Sequence, residues 1–420
     1  MTKWYPQLDK LVVNLRRTQA AIVAMNNEKR PEKTLRAFSF KETASLLGIS
    51  DTHLRNKVAE GDGFPQGEKY GTNRWFTLEE IIAARAHLYS STGNERYKVG
   101  RGEYDGPFTL AVTNFKGGVG KSTIAVHLSQ HLALRGYRIL LVDLDAQASS
   151  TALFGLDPAR HVGLASDGTP LLGGATLNPW IERRDGDEGE AARLAVARTY
   201  WPNIDIVSAN ARLQSAENLL SARQTVSRTG HGEDRQYDLE VKSFIAHVGS
   251  AYDVVILDTS PYINLLAVNA FTAANGLLVP LLPSNIDLQS TTEFLAFIAK
   301  QERHMERYFG AGWPGWSFIK LLPNRYVSQS RPQADIIDLM KNEMGDLLMQ
   351  EFLVETSALG SANNVKWTLY EHMPAKSEDR THRRALAAMD AIGLEIESKI
   401  QEFWGRSAVK EAAFDVEAAV

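Results

Sequence analysis

The sequence contains no cysteine, and this absence excludes several kinds of chemistry at once. Disulfide bonds, cysteine zinc sites, iron–sulfur clusters and thiol catalysis all need that residue. No apolar run approaches the roughly 20 residues that a membrane-spanning helix requires. The first residues mix polar and aromatic side chains, which is not the pattern of a secretory signal peptide. We therefore expect a cytoplasmic protein that makes no membrane contact.

The chain also lacks a strong excess of either charge, since 46 Lys and Arg face 50 Asp and Glu. The distribution is uneven, however. Residues 1–100 carry 16 Lys and Arg against 11 Asp and Glu, a net of +5, whereas the whole chain has a net charge of -4. Any contact with nucleic acid must therefore use local basic surface, most simply in this first part. The length of 420 residues corresponds to about two or three domains.

Residues 1–30 predict an N-terminal helix. A heptad-like spacing is formed by Leu8, Leu11, Leu15, Thr18, Ile22 and Met25. This spacing is typical of the seam between two paired helices, but the stretch is short. A dimerisation helix and an amphipathic helix that packs on its own domain both remain open.

Residues 31–90 predict a small DNA-binding domain. Two short helices are expected at Phe40–Leu47 and Asp51–Glu60, with Gly48 ending the first and Ser50 capping the second. A helix, a glycine turn and a capped helix form the layout of a helix-turn-helix motif.

A hairpin, or wing, is predicted around Gly71–Asn73, and Thr77 is expected to cap a last helix. We describe the domain as an all-α winged helix-turn-helix domain. Its candidate DNA-contacting residues are polar or basic types that recognise bases and phosphates: Ser50, Thr52, His53, Arg55, Asn56, Lys57 and Arg74.

Residues 91–106 are polar and rich in glycine, which predicts a linker, and residues 107–420 form the largest domain. Apolar strand-like runs alternate there with helical stretches, which predicts an α/β fold with a doubly wound, mostly parallel sheet. The expected strands are Phe108–Asn114, Ile139–Asp143, Ile204–Ser208, Val254–Asp258, Gly276–Pro280 and Ser317–Leu322. Two charged or polar stretches predict loops, Arg183–Ala192 and Thr225–Gln236.

The first of these strands leads into a glycine-rich loop and then a helix, which is the context of a phosphate-binding P-loop. The candidate nucleotide-binding residues are Lys116, Gly117, Gly118, Val119, Gly120, Lys121, Ser122 and Thr123. Glycines let backbone N–H groups surround phosphate oxygens, and the helix N-terminus adds positive potential. Lys121 is expected at the β and γ phosphates, the Ser122 hydroxyl at Mg²⁺, and Thr123 at the α phosphate. The alternative, a glycine turn without a ligand, does not account for this context.

Two further strand ends carry carboxylates. Asp143 and Asp145 close an apolar strand in Leu140–Gln147, and Asp258 closes another in Val254–Pro261. Ligands of α/β sheets bind at the carboxyl ends of the strands. A lone aspartate in such a position is often a turn former, so from the residues alone these carboxylates are candidates for a ligand site at this edge of the sheet.

The loop departs from the usual P-loop pattern, because Phe115 stands where the first glycine falls and a second lysine, Lys116, follows it. This sequence resembles the deviant Walker A motif of the ParA/MinD ATPases. The resemblance implies that Lys116 reaches the ATP of a partner subunit in a nucleotide-sandwich dimer. It assigns Asp145 to the attacking water, Asp143 to the outer Mg²⁺ sphere and Asp258 to Mg²⁺ through water.

Three positions are less conclusive. The family's usual proline is replaced by Ala146 after the first acidic strand and by Ser260 after the second. Asn324, at the end of a late strand, lies where the family has an adenine-contacting asparagine, although it also suits a turn.

The order of helix, winged domain and ATPase is similar to the type Ia ParA partition proteins, the group of the plasmid RepA and SopA proteins. The resemblance implies an ATP/ADP- and Mg²⁺-dependent ATPase and a homodimer that binds non-specific DNA on the nucleoid when ATP is bound. It also implies a ParB-type partner that stimulates hydrolysis, and autorepression of the partition operon. Candidate residues for the non-specific DNA surface are the basic ones near the C-terminus: Lys366, Arg380, Arg383 and Arg384.

Three other functions were weighed against partition. A MinD-like membrane ATPase needs a basic amphipathic C-terminal helix, whereas residues 405–420 are net acidic. A nitrogenase-reductase-like electron carrier needs cluster cysteines. A transcriptional repressor that uses ATP only as a ligand keeps the N-terminal prediction and omits DNA transport.

Overall fold

A computed structural model describes residues 7–8, 10–15, 17–18, 33–98, 100–102, 105–158, 161–164, 170–172, 174–229, 237–327, 329–355, 367–372 and 379–406. The chain divides into two compact units, Met1–Leu35 and Arg36–Val420. In the first unit residues 10–15 are helical, and Leu8, Leu11 and Leu15 are exposed. Ile22 and Met25 lie outside the described residues, so the heptad pairing stays a prediction.

The predicted DNA-binding domain is described from residue 33 to residue 90, here called the winged segment, and it has the predicted helices. They are α1 (Phe40–Leu47), α2 (Asp51–Glu60) and α3 (Leu78–Thr92). Gly48 ends α1 in the left-handed region with φ 67, and the Ser50 hydroxyl accepts from the backbone N–H of His53 at 3.2 Å. Thr77 and Glu80 form a reciprocal capping box at the start of α3.

The description of this segment as all-α was wrong. Three short strands, β1 (Phe38–Ser39), β2 (Glu68–Tyr70) and β3 (Asn73–Phe76), form an antiparallel sheet in the order β1-β3-β2. The predicted hairpin is present, but β1 adds a third strand. Phe38 pairs with Phe76 in register, and both side chains are buried. A strand of two residues carries no periodicity, so the sequence did not indicate it.

The segment predicted as a linker packs against its neighbours. α3 continues to Thr92, and a 3₁₀ turn follows at Glu95–Tyr97, where Tyr97 is buried. The Arg101 guanidinium then donates to two carbonyls of the large α/β part, Tyr252 O at 3.0 Å and Ser250 O at 2.9 Å. The limits at 30, 90 and 106 stay predictions.

Among the residues that the structure describes, the large part contains nine strands. They are β4 (Phe108–Val112), β5 (Ile139–Leu144), β6 (His161–Leu164), β7 (Pro170–Leu172), β8 (Ala197–Arg198), β9 (Ile204–Val207), β10 (Val254–Thr259), β11 (Gly276–Leu281) and β12 (Phe318–Pro323). Seven form one sheet in the order β12-β11-β4-β10-β5-β9-β8, parallel except for β8, and β6 pairs with β7. β11 and β12 lie on one side of β4, and β10, β5, β9 and β8 lie on the other, so the chain forms strands in both directions from β4, which is the doubly wound arrangement. The predicted mostly parallel sheet is confirmed.

Helices connect these strands. They are α4 (Lys121–Leu134), α5 (Ser149–Leu153), α6 (Asn178–Glu182), α7 (Glu188–Ala195), α8 (Leu213–Thr229), α9 (Glu240–Val248), α10 (Leu265–Ala273), α11 (Asn285–Phe309), α12 (Arg331–Met344) and α13 (Asp379–Phe403). The loop predictions were wrong for α7 and for the end of α8. Ala191, Ala192 and Ala195 bury one face of α7, and the charged residues between them hid that helix.

The segment of residues 367–372 contacts α4, α13 and Arg36. Leu369 N donates to His127 Nε2 of α4 at 3.1 Å, and the Tyr370 hydroxyl donates to Asp390 Oδ1 of α13 at 2.8 Å. Arg36 Nε, near the start of the winged segment, donates to Tyr370 O at 3.2 Å. In the ranges given above, no helix combines the length and apolar character needed to span a bilayer.

Candidate nucleotide-binding site

The loop between β4 and α4 has the backbone that its glycines predict. Gly118 and Gly120 have φ values of 78 and 89, in the left-handed region. Space also restricts Gly120, because a Cβ there would lie 2.3 Å from Asn324 Nδ2. Gly117 and Gly118 are exposed, whereas Val119 is buried and anchors the loop to the core. The loop therefore presents backbone to solvent at the start of a helix, which suits an anion.

Lys121 is the first residue of α4 and is buried. Its ammonium group donates to Lys116 O at 3.0 Å, across the loop. Burial lowers the pKa of Lys121, and the nearby Asp258 and Asp145 oppose that shift. Ser122 and Thr123 follow at the N-terminus of the helix and are partly accessible. Phosphate oxygens at this helix end would meet an ammonium group, hydroxyls and free backbone N–H groups.

Asp143 and Asp258 are neighbours in the register of β5 and β10, and both are fully buried. Thr151 donates to Asp143 Oδ2 from its backbone N at 2.9 Å and from its hydroxyl at 2.7 Å. Ser150 Oγ donates to Asp258 Oδ2 at 2.7 Å. Burial raises the pKa of both carboxyls, and repulsion from Asp258 adds to the shift at Asp143. Two buried carboxylates without a cation are electrostatically unfavourable, so the pair favours a cation.

The oxygen groups beside the loop fit Mg²⁺. Asp258 Oδ1 is a buried carboxylate oxygen to which no described residue donates a hydrogen bond. Carboxylate and hydroxyl oxygens are the ligands that Mg²⁺ prefers, together with water and substrate phosphates. Within the described ranges no three His, Asp or Glu side chains are grouped to hold a metal by themselves. A cation here would therefore depend on Ser122, on Asp258 and on phosphate oxygens.

Asp145 follows β5 directly and is partly exposed, unlike the buried pair. Its backbone N–H donates to Asp143 Oδ1 at 3.2 Å, and its own Oδ1 accepts from Gln147 N at 3.0 Å. Ala148, in the left-handed region with φ 56, then turns the chain into α5. The turn holds Asp145 at the edge of the site, where a water molecule has access.

Asn324 lies against the loop. It follows β12, is buried, and donates from Nδ2 to Val119 O at 2.6 Å. Its Oδ1 accepts from Arg325 N at 2.8 Å. The contact with adenine stays a prediction, because in this structure both ends of the amide are bonded to protein.

Several residues around the site were missed in the sequence. Phe115 packs edge-on against Phe294, with ring centroids 4.7 Å apart, which explains why the first glycine of the usual pattern is replaced. Ser150 and Thr151 bind the two buried carboxylates, and Asp287 ion-pairs with Lys116 at 3.6 Å. The Ser-Ser-Thr triplet at the start of α5 is a local sequence feature from which hydroxyl donors to these carboxylates could have been predicted.

The predicted DNA-contacting residues that the structure describes lie on α2, in the wing and on α13. On α2, Thr52, His53, Arg55 and Asn56 are exposed, while Lys57 pairs with Glu60 at 2.8 Å. Ser50 serves as the cap of α2, and the Arg74 guanidinium bonds to Gln66 O within the wing. On α13 the exposed pair is Arg380 and Arg384, with Arg383 partly buried. Lys366 lies outside the described residues.

The fold and the site together define a P-loop protein with a second lysine in the loop. Residues 108–309 match the model of an AAA domain family. Over 376 residues, 89% of each chain, the sequence is 32% identical to a replication protein A of Rhizobium rhizogenes. It is 25% identical to protein SopA of Escherichia coli K12 over 389 residues, covering 90% of this chain and 92% of SopA.

The fold is also found among solved structures. A structure described as a partition protein superposes with a TM-score of 0.58 at 19% identity, covering 87% of this chain and 96% of that one. With 32% identity to the replication protein A over 89% of each chain, the chain belongs to the ParA family of ATPases.

Proposed function

We propose that this protein is a Mg²⁺-dependent ATPase of plasmid partition whose nucleotide state controls its hold on DNA. The observation that supports the proposal most strongly is that two lysines and three carboxylates lie around the glycine-rich loop between β4 and α4. They are Lys116, Lys121, Asp143, Asp145 and Asp258. The similarity to SopA along nearly the whole chain supports the partition role.

Each side chain has a task in phosphoryl transfer. Lys121, on the helix N-terminus, holds the β and γ phosphates of ATP and, after the γ phosphate has been transferred to water, the β phosphate of ADP. Ser122 would hold Mg²⁺ directly and Asp258 through water, with Asp143 in the outer sphere, and the cation would neutralise phosphate charge. Asp145, at the accessible edge, orients the attacking water.

Two chains pair across this face when ATP is bound, with Lys116 directed to the partner's phosphates. Lys116 is partly exposed, and the same face carries the exposed side chains of Tyr262, Ile263 and Ile286, which follow the carboxyl ends of β10 and β11. Exposed apolar side chains of this size are suited to an interface.

The dimer binds DNA without sequence preference, through Arg380, Arg384 and their neighbours, and so associates with the nucleoid in the cytoplasm. Phosphate contacts of this kind weaken steeply as salt increases. A ParB-type protein bound to the plasmid stimulates hydrolysis and releases the DNA. Repeated capture and release then moves the cargo.

The winged segment reads an operator and represses the partition operon. Thr52, His53, Arg55 and Asn56 form a polar, exposed surface on α2, which supports insertion into a major groove. A two-fold dimer requires an inverted-repeat site. This exposed surface also favours a second candidate function, a repressor that binds ATP without transporting DNA.

The first experiment measures retention on non-specific DNA with ATP and Mg²⁺, with ADP, and without nucleotide, at two salt concentrations. We expect retention only with ATP, weakened by salt, and lost in Lys121→Ala. Lys300→Ala is the matched control, because that lysine is exposed on α11 and belongs neither to the phosphate loop nor to α13. Retention that does not depend on nucleotide would exclude the switch.

A second experiment separates transport from repression. Asp145→Ala should abolish turnover and plasmid stability in cells while leaving ATP-dependent DNA retention in place. Repression of a reporter with the operator should persist in that variant and be lost in Arg55→Ala. If Asp145→Ala supports normal plasmid stability, the transport function is wrong and the ATP-liganded repressor remains.

A further inference from the structure

Three consecutive residues at the entrance of the phosphate loop contact one face of α11. Their partners are at three positions of that helix: Asn114 Nδ2 with Thr291 Oγ1 at 3.3 Å, the Phe115 ring with the Phe294 ring at 4.7 Å, and Lys116 Nζ with Asp287 Oδ1 at 3.6 Å. The Phe115 ring also meets the Phe297 ring one turn further on, at 5.3 Å. The three helix positions are spaced by four and three, so they lie on the same face. The loop entrance is therefore attached to the first turns of α11.

Asp287 has an unusual environment for a carboxylate. The residue is 7% exposed, and its Oδ2 accepts from the Ser284 hydroxyl at the start of α11. Its Oδ1 is buried and receives no hydrogen bond from the residues that the structure describes. The Lys116 ammonium group, on a side chain that is 39% exposed, is the cation placed beside that oxygen. The carboxylate thus relies on Lys116 for its counter-charge.

Lys116 cannot serve two anions at once. A buried carboxylate that loses its counter-charge keeps its desolvation penalty without compensation. Moving the ammonium group to a phosphate is therefore opposed by the uncompensated desolvation free energy of the Asp287 carboxylate. The backbone of Lys116 does not need to follow, because its N–H donates to Asn114 Oδ1 at 3.2 Å and Asn114 is itself bonded to Pro280 O at 2.8 Å. The rearrangement is confined to the lysine side chain.

We propose that Asp287 is a positioning residue for Lys116. It holds the lysine side chain against α11 in the single chain and so opposes its transfer to the nucleotide of a second chain. This inference rests on the proposed function, because pairing is what gives Lys116 a second destination. The ATP concentration needed for pairing is set in part by the strength of the Asp287 contact.

The test compares the wild-type protein, Asp287→Asn and Glu306→Gln. Asparagine keeps the size of the side chain and an oxygen for the Ser284 hydroxyl, but removes the charge. Glu306 is an exposed acid near the other end of α11 and serves as the matched control. Thermal unfolding of each variant establishes that it is folded. A fourth variant, Asp287→Glu, keeps the charge, and its Lys116 acylation rate and self-association midpoint should be closer to those of the wild type than the values of Asp287→Asn are.

The first readout needs no nucleotide. Acylation of Lys116 by an N-hydroxysuccinimide ester is followed by peptide mass spectrometry, with Lys399 of the same sample as reference. We expect Lys116 to react several-fold faster in Asp287→Asn and at the wild-type rate in Glu306→Gln. Equal Lys116 rates in all three proteins would overturn the proposal.

The second readout is self-association, measured by sedimentation against the concentration of a non-hydrolysable ATP analogue. The midpoint should fall about tenfold in Asp287→Asn, the ratio that corresponds to about 1.4 kcal/mol. A higher midpoint in that variant would mean that Asp287 assists pairing, and the proposal would be wrong. If no protein pairs with the analogue but Lys116 still reacts faster in Asp287→Asn, the restraint stands and the proposed pairing fails.

Discussion

Gly393 of α13 lies directly against His131 of α4, so closely that a Cβ at position 393 would be 2.3 Å from His131 Cδ2. The ring cannot move away easily, since its Nδ1 is 3.1 Å from Asp390 Oδ1 one turn earlier on α13. This contact sets the separation of the two helices, and α4 is the helix that carries Lys121.

Gly393→Ala should destabilise the protein, although alanine is the better helix former. The added methyl overpacks a buried contact, which costs about 1–3 kcal/mol and exceeds the propensity gain. Urea unfolding measures the change in the free energy of unfolding. Gly189→Ala on α7 is the control, because a Cβ there meets nothing within 4 Å and should leave the protein equally or slightly more stable. A neutral Gly393→Ala would mean that the two helices can separate without loss.

The stability of the nucleotide-free protein should fall as pH rises. In the folded state the pKa of Asp258 is raised to about 6 and that of Asp143 to about 8, whereas a free aspartate has about 3.9. Between these values the folded state binds more protons than the unfolded state, so the free energy of unfolding decreases with pH. The stabilisation is complete below about pH 4 and is lost as pH rises through the raised pKa values.

From pH 6 to pH 8, in EDTA, we expect a loss of roughly 2–3 kcal/mol in urea unfolding, at about 1.4 kcal/mol for each pH unit and proton. Asp143→Asn should reduce the slope, and Asp346→Asn, at an exposed position, should not. A slope of zero or opposite sign in the wild type would contradict the buried pair. Mg²⁺ with ATP should flatten the profile, because the cation supplies the missing positive charge.

Gly120→Ala should weaken nucleotide binding about tenfold or more and lower stability by roughly 1–2 kcal/mol. The methyl group would meet Asn324 Nδ2, and alanine disfavours the left-handed backbone that position 120 adopts. Calorimetric titration with ATP checks the binding. In an Asn324→Ala background the clash is absent and only the backbone strain remains. The loss of stability in the double variant should therefore be smaller than the sum of the losses in Gly120→Ala and Asn324→Ala. Gly312→Ala, with open space and an ordinary φ, is the neutral control.

Glu371→Gln should destabilise the attachment of the 367–372 segment. Three side-chain donors reach Glu371 Oε1: Gln130 Nε2 at 2.8 Å, Trp201 Nε1 at 3.1 Å and the Tyr200 hydroxyl. An amide placed there either loses charge-assisted bonds or turns its own NH₂ toward donors, at a cost of about 1–3 kcal/mol. Urea unfolding of this variant is compared with Glu355→Gln, whose carboxylate is half-exposed and pairs with Arg325. Equal stability of the two variants would show that the buried carboxylate has no structural role.

Much of the site was predictable because parallel strands end at one edge of a sheet. Phe108–Val112, Ile139–Leu144 and Val254–Thr259 are apolar runs that end in loop or acidic residues, and this pattern alone predicts that Lys121, Asp143 and Asp258 lie together. The wing and the two short helices before it were marked by their glycines and caps, which are local signals.

What escaped the sequence depends on contacts between distant residues. Asp287 is separated from Lys116 by a large part of the chain, and nothing in its own neighbourhood distinguishes it from an ordinary acid in the first turn of a helix. Phe115 looked like a departure from a motif until the structure placed it against Phe294. The helix Glu188–Ala195 was hidden because its buried face consists of small alanines, which give a weak periodic signal.

The bond from Arg36 to Tyr370 O has a consequence for how the protein is made. The two residues are 334 positions apart in the chain. At about 5–20 residues per second, a ribosome needs roughly 17–67 s to travel from one to the other. During that interval the winged segment has emerged and can fold, but this contact with the ATPase is still missing. A newly made winged segment therefore exists for a time as an independent unit, free of the contact that holds it in the finished protein.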